Sequence, residues 1–327
     1  MIYTHSMKRK IAIIAGGDSS EHEVSLRSAA GLYGWISEAG YEATIVVLKG
    51  KDWHTEDGCP VDKNDFSFTR GSVRHTFDFA YITIHGTPGE NGILQGYLDM
   101  IGMPYSCCGV LAAALTFNKY ACNHYLSYFG FHIANSMMLR AGQKLPSASK
   151  IADTLGMPCF IKSNVGGSSF GCTKVKTVED VYPAIERAFK EGDEVICESY
   201  MKGTEVTCGV YKTKDKAIAF PITEVVTKNE FFDYDAKYKG QVDEITPARI
   251  PDETRDKIQA ETLRLYDIIG ANGIIRVDWI ITGEQINLLE VNTTPGMTPT
   301  SFIPQQVRAA GLDIKDVLTD IIENKFA

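Results

Sequence analysis

Two β-branched, apolar runs stand out near the C-terminal end, residues 274–281 and 285–291, separated by Thr282-Gly283-Glu284. The pattern predicts a hairpin. Residues of equal parity share a face of a strand, so Arg276 and Asp278 point one way, and Glu290 and Asn292 lie together on the partner strand. With a three-residue turn Ile281 would face Gln285, and Arg276 would stand opposite Glu290. Asp278 would then be diagonal to Glu290, about 7–8 Å away. Any odd turn length keeps the four polar groups on one face, whereas an even one splits them. Such a face is either a surface ion pair of Arg276 with Glu290 plus spare polar groups, or an oxygen-donor set. Asp278, Glu290 and Asn292 together with phosphate oxygens would suit Mg²⁺.

Upstream, apolar runs alternate with amphipathic ones. Lys10–Ala15 reads as a buried parallel strand, followed by a Gly16-Gly17-Asp18-Ser19-Ser20 turn and a helix from about Glu21 to Ala39. Strands follow at Ala43–Leu48 and Phe79–Ile84, then a glycine-rich loop, His85–Gly92, and a helix, Ile93–Ile101. Residues 8–108 therefore read as a doubly wound α/β unit. Beyond them come helices Val110–Leu115 and Asn118–Phe129, a strand Ile133–Leu139, a helix Ser147–Leu155 and a strand Pro158–Lys162. Next are a strand Cys172–Lys176, a helix Val178–Phe189 and a strand Glu194–Glu198. Strands at 206–212 and 216–226, a helix from Pro251 to Gly270 and a closing helix Asp313–Asn324 complete the pattern. Residues 227–246 are charged and aromatic with weak periodicity, the texture of a lid loop. Divisions are expected at 1–108, 109–199 and 200–327.

A chain of 327 residues is too long for one ordinary core. With 44% hydrophobic and 23% charged residues it has a soluble globular composition, and a net charge of −8 offers no basic stripe for nucleic acid. No apolar run approaches the roughly 20 residues of a membrane span. Met1–Met7 has no apolar core of the signal-peptide kind, and the eight cysteines include no C-x-x-C pair. Buried thiols, Cys197 and Cys208 among them, and a cytoplasmic location are the expectation.

The strand at 158–162 runs into Ser163-Asn164-Val165-Gly166-Gly167-Ser168-Ser169-Phe170-Gly171, where small residues let backbone N–H groups close over a polyphosphate. Lys162 adds a positive charge. A plain flexible hairpin is the competing reading, and G-x-x-x-x-G-K-[ST] is absent. No G-x-G-x-x-G follows the first strand, which argues against a dinucleotide dehydrogenase. A polar-then-apolar connector such as 198–205 can present backbone to a purine edge, which would leave Glu205 for ribose hydroxyls. Glu23 taken by itself reads better as a first-turn helix charge than as a site residue, and His85 at a strand end is ambiguous.

Taken in order, G-G-x-S-S-E-H-E-V-S-L (16–26), H-G-x-x-G-E-N-G-x-L-Q-G (85–96), L-T-F-N-K (115–119), G-S-S-x-G (167–171), Y-D-A-K-Y (234–238), R-x-D (276–278) and L-E-x-N-T-x-P-G-M-T (289–298) resemble the D-alanine–D-alanine ligases of the ATP-grasp superfamily. The resemblance spans residue 8 to the C-terminus. It implies a mixed α/β and α+β ATP-grasp fold with an N-terminal doubly wound parallel-sheet domain, and ligation of two D-alanines through an acyl phosphate for peptidoglycan synthesis. ATP and two Mg²⁺ ions, with Mn²⁺ as a substitute, would be the cofactors. ATP and D-alanine would be the partners, with a homodimer compatible and neither nucleic acid nor membrane involved.

Residue by residue, the resemblance places Lys119, Lys162 and Lys237 on ATP phosphates, Glu198, Tyr200 and Met201 around adenine, and Glu205 on ribose. Asp278, Glu290 and Asn292 would hold the metals. Glu23 and His85 would lie by the first D-alanine, and Glu23 would join Ser168 and Tyr238 in a triad that closes the lid. Arg276 and the N–H of Gly296 would stabilise the oxyanion, and Ser301, followed by Phe302 where leucine is usual, would take the second substrate. An ATP-grasp ligase with another carboxylate and amine is the alternative, against which Tyr238 in its lid motif speaks; a non-catalytic nucleotide binder is remoter.

Overall fold

A computed structural model describes residues 9–167, 171–227 and 242–327. Ser168, Lys237, Tyr238 and most of the expected lid lie outside them.

The first sheet has the order β3-β2-β1-β7, built from β1 (Lys10–Gly16), β2 (Glu42–Lys49), β3 (Asp52–Thr55) and β7 (Phe79–Ile82). β1 pairs in parallel with β2 and β7 and is buried along nearly its whole length, which is why its sequence is continuously apolar. Helix α1 (His22–Glu38) covers one face. Between β1 and α1 the chain turns sharply at Gly16 and Gly17, with φ of 94° and 93°. A Cβ on Gly16 would stand 2.5 Å from the Leu48 carbonyl, so only glycine fits. Three short strands, β4 (Val61–Asp62), β5 (Ser67–Arg70) and β6 (Val73–His75), form a separate antiparallel sheet that the sequence pattern did not announce. Helix α2 (Ile93–Met100) follows, as expected.

A central sheet, β11-β10-β12-β9, consists of β9 (Ser136–Arg140), β10 (Cys159–Ser163), β11 (Thr173–Val175) and β12 (Glu194–Ser199). Helices α5 (Ala148–Leu155) and α6 (Val181–Ala188) pack on it. The largest sheet runs β16-β15-β13-β17-β18-β8, with β14 (Ala217–Ala219) also on β13. Its strands are β8 (His132–Ile133), β13 (Thr204–Lys212), β15 (Thr223–Thr227), β16 (Val242–Ile245), β17 (Ile274–Thr282) and β18 (Gln285–Asn292).

Two expected single strands are divided. Residues 133–139 split because Ile133 joins β18 whereas Ser136 onward joins β12, with the Asn135 carbonyl accepting from Ser199 N at the crossing. Residues 216–226 split at Pro221, which has no N–H for a ladder. Helices α3 (Val110–Phe117), α4 (Lys119–Ser127) and α7 (Asp252–Ile268) enclose the large sheet's core around Trp279, Leu288 and Cys208. Helices α8 (Phe302–Ala309), which was not anticipated, and α9 (Ile314–Glu323) pack through Ile303, Val307 and Leu318 against Ile13, Leu32 and Phe79 of the first sheet and α1. All eight cysteines are free thiols, and Cys197 and Cys208 are fully buried. Among the described residues no helix is long and apolar enough to cross a membrane.

Candidate active site

The three larger sheets meet around a cavity of about 990 Å³. Its floor is the β17–β18 hairpin, where the observed register corrects the expected one. The turn holds two residues, Gly283 and Glu284, and Thr282 pairs with Gln285. Gly283 supplies the positive φ, 61°, at the first turn position. An even turn should have split the polar face. Instead a β-bulge at Leu289 shifts the register, so Asp278 pairs with Glu290 and Arg276 with Asn292. Turn and bulge each move the register by one residue, and together they restore the shared face. Asn123 of α4 donates from Nδ2 to the bulged Leu289 carbonyl at 3.2 Å.

Asp278 is the best-held group of that face. It accepts from Arg276 Nε at 2.8 Å and Nη2 at 2.7 Å, from Thr207 Oγ1 at 2.5 Å and from Asn292 Nδ2 at 3.1 Å. The ion pair of Arg276 is thus with Asp278 on its own strand. Burial alone would lower the Arg276 guanidinium, but Asp278, Glu290 and Glu205 outweigh it, and the group stays firmly cationic. Its Cζ lies 5.2 Å from the Phe302 ring centroid, within cation–π range. Among the described residues no three His, Cys, Asp or Glu side chains converge as a metal cage. Two carboxylates and one amide form an incomplete oxygen shell, which fits Mg²⁺ when nucleotide oxygens complete it.

Lys119 and Lys162, the described lysines expected on ATP phosphates, come from different elements that one half-buried carboxylate ties together. Asn118 caps α4, its Oδ1 accepting from Ala121 N, and this starts the helix at Lys119. Asn118 Nδ2 (3.3 Å) and Asn164 Nδ2 (2.8 Å) both donate to Glu194 Oε2, while Arg140 Nε donates to Oε1 at 2.9 Å. Asn164 also accepts from Lys119 N through its carbonyl (3.2 Å) and from Tyr120 N through Oδ1 (2.8 Å). The start of α4 is thereby fastened to the loop after Lys162. Lys119 Nζ donates to the Gly166 carbonyl at 2.6 Å, and Lys162 Nζ meets Glu198 Oε2 at 2.7 Å. Burial pulls the Lys162 ammonium down, but Glu198 and Glu290 more than reverse this and raise it. The Tyr200 ring packs tilted against Phe160, with centroids 5.9 Å apart, and lies under Lys174 Nζ at 4.1 Å. Tyr200, Met201 and Glu205 line the same end of the cavity.

At the other end one expectation fails. Glu23 is exposed and does not line the cavity; Glu21 does, at 9% exposure. Two residues are about 200° apart on a helix, so only one of the pair can face inward. Glu21 falls in phase with the buried Ser25, Ser28 and Leu32 of α1, which is the sequence signal that could have chosen it. Its carboxylate presses on Gly167, where a Cβ would come within 2.3 Å of Oε2. His85 is buried at 7% exposure, and its Nε2 has no hydrogen-bond partner among the described residues. Beside it stands Glu90, not foreseen from the sequence, which accepts from Gly86 N at 2.7 Å. Burial pushes the Glu90 carboxyl up against the opposing pull of His85, and Glu21 adds to the rise.

Gly296, Ser301 and Phe302 also line the cavity. Ser301 Oγ accepts from Thr298 N at 3.1 Å and lies 2.7 Å from Thr298 Oγ1, and a Cβ on Gly296 would crowd it at 3.0 Å. Of the expected site residues, then, the described ones converge on one cavity apart from Glu23.

A carboxylate–amide hairpin facing paired lysines across a cleft between two sheets defines the ATP-grasp class of ligases, and solved structures of that class superpose along the chain. The D-alanyl-alanine synthetase A of Vibrio cholerae matches with a TM-score of 0.86 at 30% identity, covering 97% of this chain and 98% of its own. A D-alanine–D-alanine ligase of Bacillus anthracis complexed with ATP matches at 0.78 and 27% identity, covering 97% of each. The family models for the D-Ala-D-Ala ligase N-terminus and C-terminus match residues 10–67 and 126–323. A D-alanine–D-alanine ligase of Bacteroides fragilis is 65% identical over 325 residues, 98% of this chain and 100% of the relative. The chain belongs to the D-alanine–D-alanine ligase family.

Proposed function

We propose that this protein joins two D-alanine molecules into D-alanyl-D-alanine at the expense of ATP, supplying the dipeptide for peptidoglycan synthesis in the cytoplasm. The observation that carries this reading is the convergence of Lys119, Lys162, Arg276, Asp278, Glu290, Asn292 and Ser301 on one cavity. Asp278, Glu290 and Asn292 would hold two Mg²⁺ ions, or Mn²⁺, which offset the charge of the transferred phosphoryl group when bound.

Lys119 and Lys162 hold the phosphates, and Glu198, Tyr200, Met201 and Glu205 hold adenine and ribose. Glu21, rather than Glu23, and His85 orient the first D-alanine, whose carboxylate takes the γ-phosphoryl group and becomes an acyl phosphate. The amine of the second D-alanine, held at Ser301, attacks that carbonyl. Arg276 and the Gly296 N–H stabilise the resulting oxyanion before phosphate leaves. Lys237, Tyr238 and Ser168 join as the lid closes and excludes water, roles carried by the sequence resemblance. For the domain partition we propose 1–108, 109–199 and 200–327, with residues 110–133 lending their apolar face to the third.

The test is phosphate release with ATP, Mg²⁺ and D-alanine, compared with L-alanine and D-lactate, and with product identified by mass. D-Alanine-dependent release with dipeptide formation is expected; release without dipeptide would point to another substrate pair.

A further inference from the structure

Among the described residues β16 is an edge strand, and its Glu244, opposite Val225 in the register, lines the cavity with Arg276, Thr300, Ser301 and Phe302. Gln305 of α8 fixes this side chain. Its Nε2 donates both to Glu244 Oε2 and to the Thr300 carbonyl, the latter at 2.7 Å. The carboxylate is thereby tied to the peptide that leads into Ser301. The neighbouring acids are differently placed. Glu224 is clasped by Arg249, with Nε at 2.9 Å and Nη2 at 2.8 Å, and Asp278 is clasped by Arg276. Each of those is clasped by a guanidinium, whereas among the described residues the hydrogen-bond anchor of Glu244 is the neutral Gln305.

We propose that Glu244 receives the ammonium group of the second amino acid and accepts one of its protons as that nitrogen attacks. The inference rests on the ligase reading above. An ammonium has no lone pair, so a proton must leave before a C–N bond can form. It passes from nitrogen to a Glu244 carboxylate oxygen, the freed pair attacks the acyl carbon, and the C–O bond to phosphate breaks with its electrons leaving on phosphate, which takes up the second proton the nitrogen loses in becoming an amide. Burial, partly opposed by the Gln305 hydrogen bond and by Arg276, raises the Glu244 carboxyl from its ordinary value, which suits a proton acceptor. A hydroxy acid such as D-lactate has no ammonium to meet this carboxylate and brings a negative charge of its own, so the same group selects amine over hydroxyl.

The experiment compares the parent with Glu244→Gln and Glu244→Asp, measuring separate KM values for the two D-alanine sites and the product partition between D-alanine and D-lactate. Glu244→Gln keeps the shape and the Gln305 contact. Its second-site KM should rise by about tenfold or more, the loss of a charge-assisted contact, with KM for ATP and for the first D-alanine unchanged. Partition should move toward the depsipeptide, and Glu244→Asp should restore part of the parent preference. A folded Glu244→Gln enzyme with parent-like second-site KM and partition would overturn the proposal. If that variant fails to fold, Gln305→Leu serves in its place: with the anchor gone the second-site KM should rise alone, and an unchanged value would count against the proposal. A parent that releases phosphate without making dipeptide would overturn the ligase reading, and this inference with it.

Discussion

The side-chain amide of Asn123 holds the main-chain carbonyl of Leu289 at 3.2 Å, and Leu289 is the one residue of β18 without a partner on β17. A bulge leaves its extra residue's polar groups outside the ladder, and a buried carbonyl needs a donor from elsewhere. Helix α4 provides it. Because the bulge brings Glu290 and Asn292 to the face of Asp278, a helix outside the hairpin maintains the alignment of the acidic floor.

Asn123→Ala should therefore cost about 1 kcal/mol of stability, the loss of one half-buried hydrogen bond. It should also raise the Mg²⁺ concentration needed for half-maximal activity. Urea unfolding and a metal titration at saturating ATP check both. A normal metal titration in the destabilised variant would show that the bulge keeps its shape without the amide.

Replacing Glu290 by Gln should abolish ligation while the protein stays folded, since one carboxylate fewer weakens both metal binding and charge compensation. Circular dichroism beside turnover separates the two effects. Near-parent turnover in the folded variant would remove Glu290 from the metal set.

Glu21 and Glu23 make a paired test, with one inside the cavity and one exposed. Glu21→Gln should lower kcat/KM for D-alanine by about a hundredfold, on the scale of one lost charge-assisted contact. Glu23→Gln should stay within about 0.5 kcal/mol of the parent in stability, with unchanged kinetics. The reverse ranking would restore Glu23 to the site.

Glu194 sets an acid limit. The Asn164 amide, and after it Arg140, hold its carboxyl below the ordinary value of 4.5, against the opposing effect of burial. A depressed folded-state pKa contributes stability that is present above the unfolded value and is lost as pH falls through the folded one. Glu194→Gln should flatten that acid decline in thermal melts below about pH 4.5 and raise KM for ATP at neutral pH, because the Lys119 and Lys162 segments lose their common anchor. A parent-like acid limb would assign the decline to other carboxylates.

Much of this protein was legible in the chain. A continuous apolar run gave β1 because a parallel strand buried on both faces needs no alternation, and the hairpin's two ends were placed to within a residue. The seven ordered motifs named the family, and their Lys119, Arg276, Asp278, Glu290 and Asn292 reach one cavity, since motif residues are fixed by the chemistry they serve. Other features needed the tertiary structure. The hairpin register came from two offsets, an even turn and a bulge, and the bulge is satisfied by Asn123, 166 positions away in sequence. Local propensity carries no information about so distant a donor. Glu21 and Glu23 look alike as letters, and only the buried side of α1 separates them. Glu90, Glu194 and Glu244 were unremarkable in sequence because each takes its role from neighbours on other elements: Gly86 and His85, Asn118 and Asn164, and Gln305. Residue type and spacing fixed which chemistry the chain carries; packing between sheets decided which carboxylates lose water and face the cavity.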